Sequence, residues 1–253
     1  MKKYTLSITL LRLLGILLFV LLWQALATVI GETSFIFPSP YLTIKETISM
    51  LKDTYIYECL LQTLIRMLGG FGISIILAFI FGVLAGNFES IEELLSPTMS
   101  VLRSVTTASL VYLFLVIVGA KITPLLIVVL ISFPILYESV VGGIKATPTN
   151  LLEVCDLEGA DFLSKNFDVR IPLAMPYIAV GIASSFGLSL KIEIMAEVIT
   201  GFTRLGLGSA ILAAQRSDPT NMVPVFAYSL VTIALILIID GISNFYKGKY
   251  DKK

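Results

Sequence analysis

In a chain without histidine, the side chains that could do chemistry are carboxylates, ammonium groups and guanidinium groups set inside apolar runs. Lys191, Glu193 and Glu197 fall in the run 173–200, Arg103 in 97–119, Glu138 in 122–141 and Arg66 in 61–86. A charge at mid-bilayer costs about 2.5–3.5 kcal/mol on the lower scales, so such groups face a cavity, a partner or one another. Glu193 and Glu197 are one helical turn apart and share a face, while Lys191 points elsewhere. Two readings stay open for Arg103, Lys191, Glu193 and Glu197: a translocation path for a solute, or internal ion pairs and subunit contacts. Arg103 has the sign to offset Glu138. Arg66, near the outer boundary, reads as a snorkelling anchor.

The lack of histidine removes the commonest general base and metal ligand, and no cluster of acidic residues supplies a catalytic constellation. Cys59 and Cys155 fall on opposite sides of the membrane in the topology below, so neither a disulfide nor a metal site is expected. No Gly-x-x-x-x-Gly-Lys-Ser/Thr sequence occurs, so the chain has no standard loop for cradling nucleotide phosphates. It is read as a non-enzyme.

The second candidate is the longest polar interruption, Thr147–Pro176, carrying Glu153, Asp156, Glu158, Asp161, Lys165, Asp168 and Arg170 between two apolar runs. Thr147 before Pro148 reads as a cap followed by proline at the first helical position. Leu151, Leu152, Cys155 and Leu157 recur at helical spacing, and Gly159 can enter a left-handed turn. Ala160 to Phe167 reads as a second short helix, with Pro172 and Pro176 ending the polar region and launching the next apolar segment. The expected product is a compact helix–turn–helix knob.

The elements that must position these groups are apolar helices. The chain is 57% hydrophobic and 14% charged, with mean hydropathy +0.93, against about 25% charged in soluble domains. Eighteen basic and eighteen acidic residues cancel, so no basic surface argues for nucleic acid. Six spans are expected, near Leu10–Ile30, Leu61–Gly86, Pro97–Gly119, Ile122–Val141, Leu173–Thr200 and Val223–Ile242. The first, about 32 Å long as a helix, is read as a retained span rather than a cleaved signal. Gly82 and Gly86 have small-xxx-small spacing, which predicts a central, buried second span. Pro134 predicts a kink in the fourth. Ser39 and Pro40 start an amphipathic helix at the outer interface, with Leu42, Ile44, Ile48 and Leu51. The loop 201–221 reads as external with a short helix. Ten Lys and Arg lie on the side of the two termini and five on the other, which puts both ends and the Thr147–Pro176 loop in the cytoplasm.

The loop carries a family resemblance. Glu153-Val154-Cys155, three residues, Gly159, nine residues, then Val169-Arg170-Ile171-Pro172 resembles the Glu-Ala-Ala … Gly … Pro loop of bacterial ABC importer permeases, with Val154 and Cys155 where that family usually has alanines. The resemblance extends from Pro38-Ser39-Pro40 to Ser189-Leu190-Lys191, Met195-Ala196-Glu197 and Gly206-Leu207-Gly208, and looks like the branch for nitrate, sulfonate, taurine, bicarbonate or pyrimidine precursors. It implies an all-α polytopic membrane protein of type I importer architecture in the bacterial inner membrane. Residues 1–56 would form the first helix and external segment, 57–245 the permease core with its coupling loop at 147–172, and 246–253 a basic tail. The implied partners are a second permease copy in a homodimer, an ATP-binding subunit carrying ATP and Mg, an extracytoplasmic binding protein, and membrane lipid. The implied coupling surface comprises Leu151, Glu153, Cys155, Leu157, Gly159, Ala160, Phe162 and Pro172, in which Leu151, Leu157 and Phe162 would supply apolar fill, Glu153 a carboxylate and Gly159 the turn. The rival reading is a secondary transporter using Lys191, Glu193 and Glu197 as an ion relay, but no repeat relates the chain halves.

Overall fold

The computed structural model describes residues 2–30, 36–201 and 205–250, and every regular element among them is helical. Residues 31–35 of the external segment, Arg204 and the last three residues of the basic tail lie outside this set. The helices are α1 (Lys2–Ile30), α2 (Pro40–Met50), α3 (Thr54–Asn87), α4 (Glu89–Ser104), α5 (Thr107–Val118), α6 (Thr123–Lys145), α7 (Thr149–Leu157), α8 (Phe162–Ser164), α9 (Ile171–Thr200), α10 (Leu207–Ser217) and α11 (Val223–Tyr250). A π-helical turn, Lys165–Arg170, joins α8 to α9.

Helices α3, α6 and α9 form the centre, with α6 flanked by the other two and α11 lying against α9 and α2. The glycine spacing on α3 does what it predicts: a Cβ at Gly82 would stand 2.7 Å from Val140 Cβ, and one at Gly86 2.7 Å from Ile144 Cβ. The two backbones therefore approach as closely as the missing side chains allow. The middle position, however, belongs to α6, whose apolar window is 50% buried against 33% for α3. Pro134 sits inside α6, which runs as one helix through it.

Among the described residues four helical runs are long and apolar enough to cross a membrane: α3, α6, Phe162–Thr200 and the Val223–Ser243 part of α11. The expected third span is not one rod but α4 and α5, bent by 100°. Val105 and Thr106 at the break are both extended. Glu89 and Glu92 occupy the first turn of α4 and Arg103 its last, so its strongly two-faced sequence cannot run through lipid as an apolar cylinder. In α1 the apolar stretch is Leu14–Ile30, and Trp23 fixes it to the body by donating Nε1–H to the Pro38 carbonyl at 3.1 Å.

The start of α2 follows the expected chemistry, with the Ser39 hydroxyl accepting from Leu42 N and Pro40 in the first turn. Its buried stripe, though, is Pro40, Thr43 and Thr47, while Ile44, Ile48 and Leu51 face outward. The threonines can be buried because their hydroxyls bond back to carbonyls one turn earlier, Thr43 to Ser39 and Thr47 to Thr43.

Candidate functional site

The polar loop between α6 and α9 is built by local rules. Helix α7 ends at Gly159, whose φ of +70° is the left-handed conformation expected there. Gly159 N–H donates to Asp156 O at 3.1 Å and Ala160 N–H to Cys155 O at 2.9 Å, the paired bonds of a Schellman turn. Asp161 then starts α8 by accepting from Ser164 N–H at 3.1 Å, and this hydrogen bonding holds its carboxyl below the usual range. An ion pair between Lys165 and Asp156 ties the start of the π turn back to α7.

Two local expectations are corrected. The Thr147 hydroxyl is buried without a partner and caps nothing; Pro148 is the extended residue before α7, which begins at Thr149. The second helix is only Phe162–Ser164, and it passes through the π turn straight into α9. Pro172 launches the next apolar helix as expected, in the first turn of α9, and Pro176 lies within that helix.

The outward face of the loop is apolar. Leu151, Val154, Phe162, Leu163 and Phe167 are exposed, and Leu157 is 87% exposed. Glu153 is exposed among them, whereas Cys155 and Ala160 turn partly inward. No residue of α7 is buried. The loop thus presents a solvent-facing apolar patch, held by the turn at Gly159 and the Lys165–Asp156 pair.

The charges inside the bundle sort into two kinds. Glu193 and Glu197 are fully buried and both face Arg66, which is therefore no snorkelling anchor. Arg66 Nη2 lies 2.8 Å from Glu197 Oε1, and its Nε lies 3.6 Å from Glu193 Oε1. Glu197 also accepts from the Thr63 hydroxyl, 3.0 Å from both carboxylate oxygens, and from Gly208 N–H at 2.9 Å. Thr63 accepts in turn from Leu207 N–H at 2.9 Å, and Arg66 donates to the Leu205 carbonyl. One buried carboxylate thus joins α3, α9 and the start of α10. Gly208 makes room, since a Cβ there would sit 2.6 Å from Glu197 Cβ. Glu193 has no hydrogen bond on either oxygen.

The other kind is reachable. Lys191 Nζ pairs with Asp240 Oδ2 of α11 at 2.9 Å, with side chains 48% and 34% exposed. Arg103 pairs with Glu138, as the signs suggested, at 46% and 48% exposure. Asp240 seats over Gly187, where a Cβ would come within 1.9 Å of its Oδ1. Sequence reading missed Asp240, although it is the one charged residue in 223–242. It also missed Thr63, whose hydroxyl carries no periodic signal. The contrast predicts unequal tolerance. Glu197→Gln is expected to lower the yield of folded protein more than Glu193→Gln, measured by size-exclusion profiles of detergent-solubilised membranes, because only Glu197 bridges three helices.

The family described as binding-protein-dependent transport system inner membrane component matches residues 70–251. The riboflavin transport system permease protein of Chloroflexus aurantiacus is 30% identical over 225 residues, covering 88% of this chain and 82% of that one. A putative aliphatic sulfonates transport permease of Bacillus subtilis is 24% identical over 80% of this chain and 73% of its own. The bicarbonate transport system permease of Synechococcus elongatus is 26% identical over 90% and 85%. Among solved structures, a chain of an amino acid ABC transporter superposes with TM-score 0.65 at 19% identity, covering 80% of this chain and 97% of that one. A chain of the inward-facing methionine ABC transporter gives 0.59 at 16%, covering 78% and 99%. At these identities the structures show the shared fold.

Proposed function

The chain belongs to the binding-protein-dependent transport system inner membrane components, and from that membership we propose that two identical copies form the translocation path of an importer, each offering its 149–170 loop to an ATPase subunit. The chain is a multi-pass inner-membrane permease subunit, and ATP hydrolysis takes place on a separate subunit. Its importer also includes an ATP-binding subunit and a substrate-binding protein. The nucleotide and its Mg would sit on that ATP-binding subunit. The observation that carries the coupling role is the uncovered apolar face of Leu151, Val154, Leu157 and Phe162, held rigid by the Schellman turn at Gly159. Glu153 adds one exposed carboxylate that a basic groove would recognise. Closure of the ATPase dimer would move the two loops and tilt the helices that continue from them.

For the path itself, the half-exposed pairs Lys191–Asp240 and Arg103–Glu138 support a wet lining, since charges in apolar spans that remain accessible face water or a partner. Glu193 and Glu197 leave the list of lining residues because no solvent reaches them. The secondary-transporter alternative fails with them: Glu197 is committed to a structural network, and the family transports with ATP. The solute is a small one; the named relatives handle riboflavin, sulfonates and bicarbonate.

Two measurements test this reading. In membranes of a variant with Cys59 and Cys155 replaced by alanine, Lys191→Cys should react with a charged, water-soluble thiol reagent, and Glu193→Cys should not. Equal protection of both would remove Lys191 from a wet path. In the same background, Asn150→Cys should be labelled only from the cytoplasmic face and Asp218→Cys only from outside. Labelling of both from one face would overturn the orientation drawn from the charge count.

A further inference from the structure

We propose that Asn87, the last residue of α3, is the positioning residue that locks the coupling loop to the second membrane span, so that motion of the loop reaches α3 directly and not only through the two helices the loop joins. This rests on the coupling role proposed above. Asn87 lies 79 residues from its main partner in sequence, yet its Nδ2 donates to Asn166 Oδ1 at 2.7 Å. Its Oδ1 accepts from Arg170 Nη1, a charge-assisted bond and so a stronger one. The same Nδ2 donates to Val83 O at 2.7 Å, which fixes the amide to its own helix.

Asn166 is the one residue of the π turn that is buried, at 2% exposure, and its own Nδ2 donates to Phe162 O at 2.9 Å. The amide pair therefore holds both α8 and the π turn. Next to Asn87, the Phe88 ring stacks on Phe162 with centroids 5.6 Å apart and planes inclined by 21°. Polar and aromatic contacts thus converge on one junction between α3 and the loop. The network is half-buried and closes on the buried Asn166, whose amide oxygen would be left desolvated without a partner if its bond to Asn87 broke. Placing Arg170 there leaves its Nε buried without a partner, so its position is held against a local cost. Single-turn π distortions recur at functional sites, and here the widened turn carries both Asn166 and Arg170 to Asn87.

The test compares loop and span in the assembled complex. Nitroxides at Asp168→Cys and Ile80→Cys, both exposed positions, are placed in the Cys59→Ala, Cys155→Ala background, and their distance is read by pulsed electron resonance without nucleotide and with ATP–vanadate. A locked junction should change this distance by less than about 2 Å, the scale of small helix shifts, while Asn87→Leu should broaden or shift it by about 5 Å, the scale of a one-turn slip. Asn87→Asp, which keeps an acceptor for Arg170, should stay closer to wild type than Asn87→Leu. Co-purification of the ATPase subunit is scored in parallel. If the ATPase fails to bind even the parent protein, the coupling role itself falls. If it binds and the parent distance changes by about 5 Å, or if Asn87→Leu leaves the distance fixed, the lock is overturned. Should Asn87→Leu not insert, Asn166→Leu removes the same hydrogen bond from the loop side and is read by the same outcomes.

Discussion

Arg66→Met is expected to remove most of the folded permease from the membrane. Arg66 is the cation facing the fully buried Glu193 and Glu197, at 3.6 and 2.8 Å. Methionine has similar length and apolar character, so the change deletes charge and donors rather than volume. Breaking a buried pair by removing one partner costs about 3–5 kcal/mol, because the remaining charge is left desolvated. Here two carboxylates would be stranded, and the Leu205 carbonyl would lose its donor. That is a large share of the roughly 5–15 kcal/mol by which domains are stable. The measurement is the monodisperse fraction and melting temperature of solubilised protein. The triple variant Arg66→Met, Glu193→Gln, Glu197→Gln should recover part of the loss, since neutral amides cost less to bury unpaired. Wild-type yield and melting for Arg66→Met alone would show that the cluster does not hold α3, α9 and α10 together.

Gly159→Val and Glu153→Lys should instead leave the bundle intact and abolish productive contact with the ATPase. At φ +70° a β-branched residue is strained by about 1–2 kcal/mol, and relief of that strain breaks the Schellman bonds from Gly159 and Ala160 and redirects α8. Open space surrounds Gly159, so the penalty is conformational rather than a clash. Glu153 is exposed and makes no ion pair among the described residues, so its reversal leaves stability nearly unchanged while inverting one charge in the docking surface. Both variants should insert and melt like wild type, with ATPase co-purification or nucleotide hydrolysis by the complex reduced at least tenfold. Normal association and hydrolysis in both would show that the loop is not the transmission element.

These two results probe different parts of the molecule, and the sequence disclosed them unequally. The loop was legible because its determinants are local. Gly159 reaches positive φ without a Cβ, Ser39 and Pro40 start α2 by short-range capping, and apolar runs of span length mark where lipid must be. The tight approach of α3 at Gly82 and Gly86 was legible for a related reason, since small residues one turn apart leave a groove whatever helix fills it.

The rest depended on which helices meet. Arg66 looks the same in sequence whether it reaches for headgroups or for Glu197, 131 residues away, and only the packing of α3 on α9 and α10 decided it. Lys191 found Asp240 because Gly187 lets α11 approach, and Arg103 found Glu138 because α4 ends beside α6. The 100° break at Val105–Thr106 and the π turn that brings Asn166 and Arg170 to Asn87 are likewise visible only in the tertiary structure. Periodicity along a chain states which face of a helix is polar; the partner on the facing helix is fixed only when the bundle closes and each buried charge must find its counter-charge.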